Sequence, residues 1–168
     1  MTPAPTQYDA YVALGDFLTA VTDAEIIRGQ INRVPMPTGP DWIVMQAGRR
    51  AQMSTTVRDY DPDLEKQIMD LSTALYFQID VYGPAAADNA QAIVTTFRSL
   101  WGADQFHASG FAPLMCEDPA QMPLIAGEQQ WLQRWMIQCA LHRSIALSVD
   151  QQFADTLITG LTEITHGI

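Results

Sequence analysis

Residues 71–97 read LSTALYFQIDVYGPAAADNAQAIVTTF, and this stretch decides the fold. In its first half, apolar residues alternate with polar or small ones, which is the period of a strand with one buried face. Gly83 and Pro84 then end the strand, and apolar residues follow at helical spacing. Proline suits the first position of a helix, because its missing N–H costs no hydrogen bond there. We therefore predict a strand and then a helix over about 84–101, with Gly102 as its stop.

A strand, a glycine and a helix in this order also build phosphate-binding sites. The GxxxxGK[ST] loop and the GxGxxG fingerprint both need further glycines, and the first also needs a lysine. This stretch has neither, and Asp80 and Asp88 would repel a phosphate. We interpret Gly83 as part of a fold element and predict no nucleotide site here.

The chain before this stretch begins with one clear helix signal. Thr6 and Asp9 have the spacing of a capping box, which predicts a first helix over about 7–20. The run EIIRGQINRV (25–34) fits a strand or a helix, and we favour a strand. The prolines and glycine of VPMPTGP (34–40) predict a loop.

Two further β-rich runs follow this loop. DWIVMQ (41–46) and RRAQMSTTVRDYD (49–61) form either a hairpin or one bent long strand, and Asp-Pro-Asp at 61–63 predicts a turn. FAPLMC (111–116) fits a short edge strand, where a proline is tolerated. The rest of 102–130 lacks a period and predicts an extended loop.

The last two runs are ambiguous. Residues 131–149 fit either a strand or a helix, and their β-branched end favours a strand. Residues 151–165 fit both equally well. The whole pattern predicts an α+β fold, with a mostly antiparallel β-sheet packed against two main helices.

Length and composition indicate one compact domain. The chain has 168 residues, of which 48% are hydrophobic and 17% are charged. We expect a single domain over 1–168, with a flexible N-terminus at about 1–6 and long loops at about 34–41 and 102–130. No apolar run approaches the roughly 20 residues that span a bilayer. The first residues lack the pattern of a signal peptide, so we expect no membrane contact and a cytoplasmic site of synthesis.

The charge balance argues against a DNA-binding surface. The net charge is −10, with 19 acidic residues against 9 basic ones, and phosphate neutralisation needs Lys and Arg. All the basic residues except Lys66 are arginines, which suit packed contacts better than solvated surface. Few lysines indicate either a surface that meets other protein or a genomic composition bias.

No catalytic or metal-binding pattern emerges, and we predict no enzyme activity and no cofactor. His107, His142 and His166 are scattered and lack the spacing of HExxH or a related ligand motif. Cys116 and Cys139 show no CxxC spacing, so we interpret them as buried free thiols.

Carboxylates cluster once along the chain. Asp59, Asp61 and Asp63 resemble a calcium loop only loosely, because the glycine and distal glutamate of an EF-hand are missing, so a solvated turn is favoured. Asp80 has no partner acid at a defined spacing, which favours a hydrogen-bonded residue over a general base.

The densest positive site is the Arg49-Arg50 pair, with Arg58 close behind it. These arginines either form an exposed hairpin rim or dock onto an acidic face of a neighbouring subunit. A tryptophan is also a frequent anchor at interfaces. Our candidate interface residues are Arg49, Arg50, Arg58, Trp42, Asp59 and Asp61.

Four stretches carry a resemblance to a known family. INRVPMP (31–37), the segment from WIVM to RRAQMSTTVRDYD (42–61), QIDVYGPAAADNAQ (78–91) and FAPLMCEDPAQMPLIAGEQQWLQRW (111–135) occur in the same order as in phage neck or tail terminator proteins. The Asp-Val-Tyr-Gly-Pro step before an alanine-rich helix is the most specific of them. The chain thus resembles the tail terminator family of tailed phages and prophages.

The resemblance implies a structural virion protein. Such a subunit closes into a ring, commonly a hexamer, that ends the tail tube and joins the tail to the head connector or completion protein. Double-stranded DNA passes through the lumen without specific binding, and acidic walls would let it slide. The implied location is the host cytoplasm during assembly and then the neck of the virion.

Two alternatives remain open at this point. The first is another head–tail connector or head-completion protein. From a different class, the chain would be a small-molecule-binding domain or an enzyme that uses Asp80, Tyr82 and His142.

Overall fold

The structure is a computed structural model, and it describes residues 4–32, 35, 37–126 and 130–151. Within this part of the chain there are three helices and nine strands. The helices are α1 (Gln7–Val21), α2 (Ala86–Phe97) and α3 (Leu100–His107). The strands are β1 (Glu25–Arg28), β2 (Trp42–Gln52), β3 (Val57–Asp61), β4 (Lys66–Tyr82), β5 (Ala112–Cys116), β6 (Ala120–Gln121), β7 (Leu124–Ala126), β8 (Gln130–Leu132) and β9 (Arg134–Asp150).

The two longest strands form the centre of a seven-stranded sheet, in which β1, β2, β4, β9 and β5 lie in that order. β4 and β9 pair antiparallel over their whole length, from Lys66 opposite Asp150 to Tyr82 opposite Arg134. β1 pairs parallel with β2, and the other pairs are antiparallel. The predicted α+β fold is confirmed, with a mixed sheet that is mostly antiparallel.

The helices cover one face of this sheet. Phe77, Ile79 and Val81 of β4 point into the core, as their alternation predicts, and each is at most 2% exposed. Phe17 of α1 packs edge to face on Phe97 and stacks on the Phe106 ring at 5.1 Å. Burial of each such side chain contributes about 2 kcal/mol, so these rings fix the helices to the sheet.

The core ends where Leu75 on β4 faces Leu141 on β9. Beyond this pair both strands continue to Lys66 and Asp150, with β3 and the end of β2 beside them. On the face that the helices cover elsewhere, side chains here are exposed or partly buried, apart from the buried Thr73 and Arg143. We call residues 50–74 and 142–150 the arm.

The predicted single helix over 84–101 is wrong, because the chain breaks it at Arg98 and Ser99. The Ser99 hydroxyl accepts a hydrogen bond from the Gly102 N–H at 3.1 Å and thereby caps a new helix. Gly102 lies inside α3 and does not stop a helix. Because it has no side chain, α3 can approach the carbonyl of Thr96 closely. The fold therefore has three helices in the described residues instead of two.

Gly83 is a fold element, as predicted. Its φ of +108° favours glycine, and a Cβ there would lie 2.3 Å from the Pro40 carbonyl oxygen. The neighbouring Asp41 carboxylate accepts a hydrogen bond from the Ala85 N–H at 2.8 Å. Pro84 precedes the helix, which begins at Ala86. The turn therefore holds the loop before β2 against the start of α2.

Several other predictions are confirmed. α1 begins with the capping box of Thr6 and Asp9. β1 is a strand, and β5 is an edge strand. Neither alternative over 41–61 holds as a whole: β2 is one bent strand, with an irregularity between Ala47 and Arg50, but it ends at Gln52, and β3 is a separate strand that pairs with β4 instead of forming a hairpin with β2.

Residues 131–149 resolve almost entirely as strand, in the end of β8 and in β9. The loop predicted over 102–130 is wrong. Besides the strand predicted at 111–116, this range contains most of α3 and also β6 and β7. β6 pairs with the distant β9 and β7 with the adjacent β8, and strands of two or three residues are too short to show a period.

Of the predicted loop over 34–41, residues 35 and 37–41 form neither helix nor strand, and the others lie outside the described residues. Most of the ambiguous 151–165 also lies outside them.

Candidate assembly surfaces

The sheet face opposite the helices carries aromatic and polar side chains. Trp42 stacks on Tyr82 with ring centroids 5.3 Å apart and nearly parallel planes. The Arg49 guanidinium lies over the Tyr76 ring, 4.1 Å from its centroid. Such pairs hold large side chains in fixed positions on an open face. We call this surface the open face.

A buried ion pair anchors the open face. Asp80 is fully buried, and its Oδ1 accepts from Arg134 Nη2 at 2.9 Å and Nε at 3.1 Å. Its Oδ2 accepts from Gln78 at 2.8 Å. Burial raises the pKa of the adjacent Tyr82, Asp80 raises it further and Arg134 opposes both, so Tyr82 remains a neutral phenol. Asp80 is thus a satisfied structural carboxylate.

The groups proposed for an enzyme do not converge. Asp80 lies opposite Met136, whereas His142 lies opposite Ala74, six residues away along β4. That separation is about 20 Å. Within the part of the chain that the structure describes, no three His, Cys, Asp or Glu side chains are grouped to hold a metal ion.

The acidic cluster forms a turn, as interpreted from the sequence. The Asp61 carboxylate accepts hydrogen bonds from the N–H groups of Asp63 and Leu64, at 3.0 and 3.2 Å. Asp59 accepts from the Tyr60 N–H. These carboxylates accept hydrogen bonds from backbone N–H groups one to three residues further along the chain, which is the usual behaviour of aspartate in turns.

The candidate interface residues do not form one surface. Arg49 lies on the open face, while Arg50 lies on the helix side and donates a hydrogen bond to Gln7. The irregularity in β2 sends these neighbours to opposite sides. Arg58, Asp59 and Asp61 lie on β3 at the outer edge of the arm, and Trp42 lies at the far end of β2.

Sequence reasoning missed an apolar surface at the opposite edge of the sheet. We call it the α3–β5 patch; its members are Leu100, Trp101, Leu114 and Met115, which are 40–80% exposed. A groove of about 470 Å³ runs between the helix and the edge strand. The β7–β8 hairpin exposes Leu124, Ile125 and Trp131 as well. Grouped apolar exposure of this kind marks interaction sites. In the sequence, the only sign of this patch is the apolar content of residues 102–130, which show no regular period.

The two cysteines face each other across β5 and β9 in the core, as free thiols. Burial raises the pKa of Cys116 to about 12 and that of Cys139 well above its ordinary value. Both therefore stay protonated. Their interpretation as buried free thiols is confirmed. No helix in the described residues has the length and apolar character needed to cross a membrane.

Comparison with known proteins identifies the family. Residues 9–167 match the family described as phage neck terminator protein. Among solved structures, the chain is similar to the sheath/tube terminator of an extracellular contractile injection system (PVC) in its extended state, with a TM-score of 0.54 and 11% identity. The match covers 97% of this chain and 65% of that one, so the chain spans about two thirds of that terminator's length. No curated protein matches the chain.

The similarity to that solved terminator supports the fold. The family match extends over nearly the whole chain, from α1 to the residues beyond β9. The confirmed strand, turn and helix around Gly83 lie inside the matched range. The chain belongs to the phage neck terminator protein family.

Proposed function

We propose that this chain is the structural subunit of a ring, commonly a hexamer, that ends the phage tail tube and joins it to the head connector. Double-stranded DNA passes through the lumen of this ring. The observation that carries the proposal is the family match over residues 9–167. The terminator fold of the similar solved structure supports it.

Two exposed surfaces at different ends of the sheet support assembly into a ring. The α3–β5 patch lies beside the edge strand β5, and the arm extends from the sheet beyond the core. When different surfaces of identical subunits meet head to tail, the contact closes into a ring if the rotation permits. The α3–β5 patch meets the next copy in this proposal. Arg49, exposed on the open face, remains a predicted contact to an acidic neighbour.

The partners follow from the terminator role. The similar solved chain is a sheath/tube terminator, and we extend this to a tail tube protein as the partner of the present chain. The net charge of −10 supports a lumen that repels DNA and lets it slide. The chain acts as a structural part, without catalysis.

Tube growth and mass together test this proposal. The purified chain is added to polymerising tail tube protein, and tube lengths are measured by negative-stain microscopy while native mass spectrometry counts subunits in free or tube-bound rings. We expect shorter tubes with a capped end and one discrete ring mass. Tubes that grow unchanged, beside a chain that binds only the head connector, would favour the head-completion alternative.

A matched pair of variants tests the ring contact. Leu100→Asp with Leu114→Asp places charge in the α3–β5 patch at positions 80% and 42% exposed, so the fold is kept. We expect this variant to lose the ring mass. Ile31→Asp, at a comparably exposed apolar position outside the patch, should keep it. Equal ring formation by both variants would show that the patch is not the subunit contact.

A further inference from the structure

An apolar groove of about 320 Å³ lies on the arm, on the face that the helices cover elsewhere. Its apolar lining comes from the two central strands: Met69, Leu71, Ile145 and Leu147. The register of β4 and β9 sets these side chains opposite each other in two pairs, so all four share one face. Each is only partly buried, and none belongs to the core under the helices. They form a continuous apolar strip that no helix of the described residues covers.

The charges of the arm divide between its two faces. Arg50 and Arg143 line the groove, and Arg58 lies opposite Met69 and therefore projects on the same face. The acids of the arm strands occupy the alternate positions and face the other way: Asp59, Asp61, Asp70 and Asp150. In these strands, which the structure describes in full, the groove face has three arginines and no carboxylate.

Arg143 lacks the partner that a buried cation needs. It is only 2% exposed, and its Nε has no hydrogen-bond partner among the described residues. Its Nη1 donates to the Pro5 carbonyl, and Arg50 donates to Gln7. Burial and the nearby charge of Arg50 lower the pKa of Arg143. No described carboxylate forms an ion pair with either arginine, and a buried charge without a counter-ion is costly. This end of the groove therefore suits a carboxylate from outside the arm.

The outer side of α3 carries the groups that the groove lacks. Leu100 is 80% exposed, more than any other large apolar side chain in the described residues. Asp104 is exposed and lies four residues from Leu100 and three from Trp101, which puts its carboxylate beside both. Among the described residues, Asp104 forms no ion pair. α3 therefore presents apolar side chains together with a carboxylate.

The spacings of the two surfaces match. α3 has 8 residues and is therefore about 12 Å long, while the groove extends about 13 Å along β9 from Arg143 to Leu147. Along the helix, Asp104 lies about 6 Å from Leu100. Along the strand, Arg143 lies about 7 Å from Ile145. A helix in the groove can thus bring Asp104 to the arginines while Leu100 contacts Ile145.

α3 cannot reach the groove of its own chain. Phe106 stacks on Phe17 at 5.1 Å and holds the inner side of the helix on the core, so the outer side faces away from its own sheet. A second copy of the chain supplies this outer side with the acid that the groove lacks. Complementary charge of this kind favours one partner over others.

We propose that α3 of one copy lies in the arm groove of the next, with Leu100 and Trp101 on the apolar strip and the Asp104 carboxylate at Arg50 and Arg143. The two surfaces differ, so the contact is head to tail and can close into a ring. This proposal rests on the proposed ring function and names the surface that receives the α3–β5 patch.

Disulfide cross-linking tests this contact directly. Leu100→Cys and Ile145→Cys are made in separate chains, mixed in the presence of polymerising tail tube protein and oxidised with copper phenanthroline. The native Cys116 and Cys139 are buried and protonated, so they give no background. We expect the mixture to shift from the 18.6 kDa monomer to a dimer on a non-reducing gel, while each variant alone stays monomeric. Ile31→Cys, which is 46% exposed and outside both surfaces, should give no dimer with Ile145→Cys.

Exchange of the two charges tests the ion pair. Asp104→Arg brings like charges together and Arg50→Asp gives the groove its own acid, so each should lose the ring mass in native mass spectrometry. The double variant restores opposite charges across the contact and should regain the ring. Asp16→Arg, at an exposed position of α1 outside both surfaces, should keep it. Single variants that keep the ring, or a double variant without it, would overturn the contact.

The outcomes separate this contact from the ring function. A discrete ring on capped tubes without the cross-linked dimer would overturn the contact and leave the terminator role intact, because another occupant would then fill the groove. The dimer beside tubes that grow unchanged would support the contact and count against the terminator role. A chain that neither forms rings nor cross-links would overturn both.

Discussion

The buried carboxylate of Asp80 depends on one cation. Arg134 donates two hydrogen bonds to it, at 2.9 and 3.1 Å, from a side chain that is 24% exposed. In Arg134→Met the carboxylate stays buried without a counter-ion, so we expect the free energy of unfolding to fall by about 3 kcal/mol in urea titrations.

The double variant Asp80→Asn, Arg134→Met is the control for this prediction. It leaves no buried charge and should recover part of the loss. A loss below about 1 kcal/mol in Arg134→Met alone would show that water, and not Arg134, satisfies Asp80.

The cap of α1 gives a pH-dependent prediction. Hydrogen bonds from the backbone and hydroxyl of Thr6 lower the pKa of Asp9 below its usual value of 3.8. The stabilisation is therefore complete above that usual value and is lost as the pH falls through the lowered pKa of the folded state.

Thr6→Ala removes the hydroxyl from this cap and should cost about 1 kcal/mol at neutral pH, in thermal or urea unfolding. The difference from the wild type should shrink in acid, as Asp9 becomes protonated. Thr19→Ala, an exposed change later in the same helix, should be nearly neutral. A difference between Thr6→Ala and wild type that does not change with pH would contradict the role of Asp9.

At the scale of elements, the joint between α2 and α3 depends on Gly102. A Cβ there would lie 2.3 Å from the Thr96 carbonyl oxygen and 3.1 Å from that of Phe97, so the backbone would have to shift. We expect Gly102→Ala to lower the free energy of unfolding by about 2 kcal/mol, even though alanine favours helices.

Gly15→Ala in α1 is the matched control for the joint. Its Cβ would meet only the Met45 methyl at 3.6 Å, an ordinary contact. This change should stabilise the protein by about 1 kcal/mol, as alanine does in a helix interior. Equal effects of the two substitutions on the melting temperature would show that the α2–α3 contact is not tight.

Elements set by local signals could be predicted from the sequence. The alternation in β4 and the capping box of α1 are local, and both predictions are confirmed. The break at Ser99 could not be predicted, because Leu100 and Trp101 continue the helical spacing and the close approach of Gly102 to Thr96 is a tertiary contact. β6 forms only by pairing with β9, which lies further along the chain.

At the scale of the whole molecule, net charge predicts the behaviour toward DNA. With a charge of −10, the chain should give no retarded band with double-stranded DNA at physiological salt. An electrophoretic mobility assay checks this, with a basic DNA-binding protein as positive control. A complex whose affinity falls steeply with added salt would reveal a phosphate-binding surface and contradict the proposed passive lumen.

The candidate surfaces were harder to predict than the fold. Neighbours in sequence such as Arg49 and Arg50 suggested one site, yet the irregularity in β2 places them on opposite faces. The α3–β5 patch was missed because exposure of Leu100 and Leu114 depends on how α3 and β5 pack, and no local pattern encodes it. Surface function therefore follows from tertiary placement more than from residue type.

A cryo-EM reconstruction of the intact phage neck tests the central claim most directly. We predict that the fold of this chain will fit a closed ring at the head-proximal end of the tail tube, with DNA or an open channel along its axis. Density for this chain at the distal end of the tail or inside the head, or a complete neck without it, would contradict the terminator role.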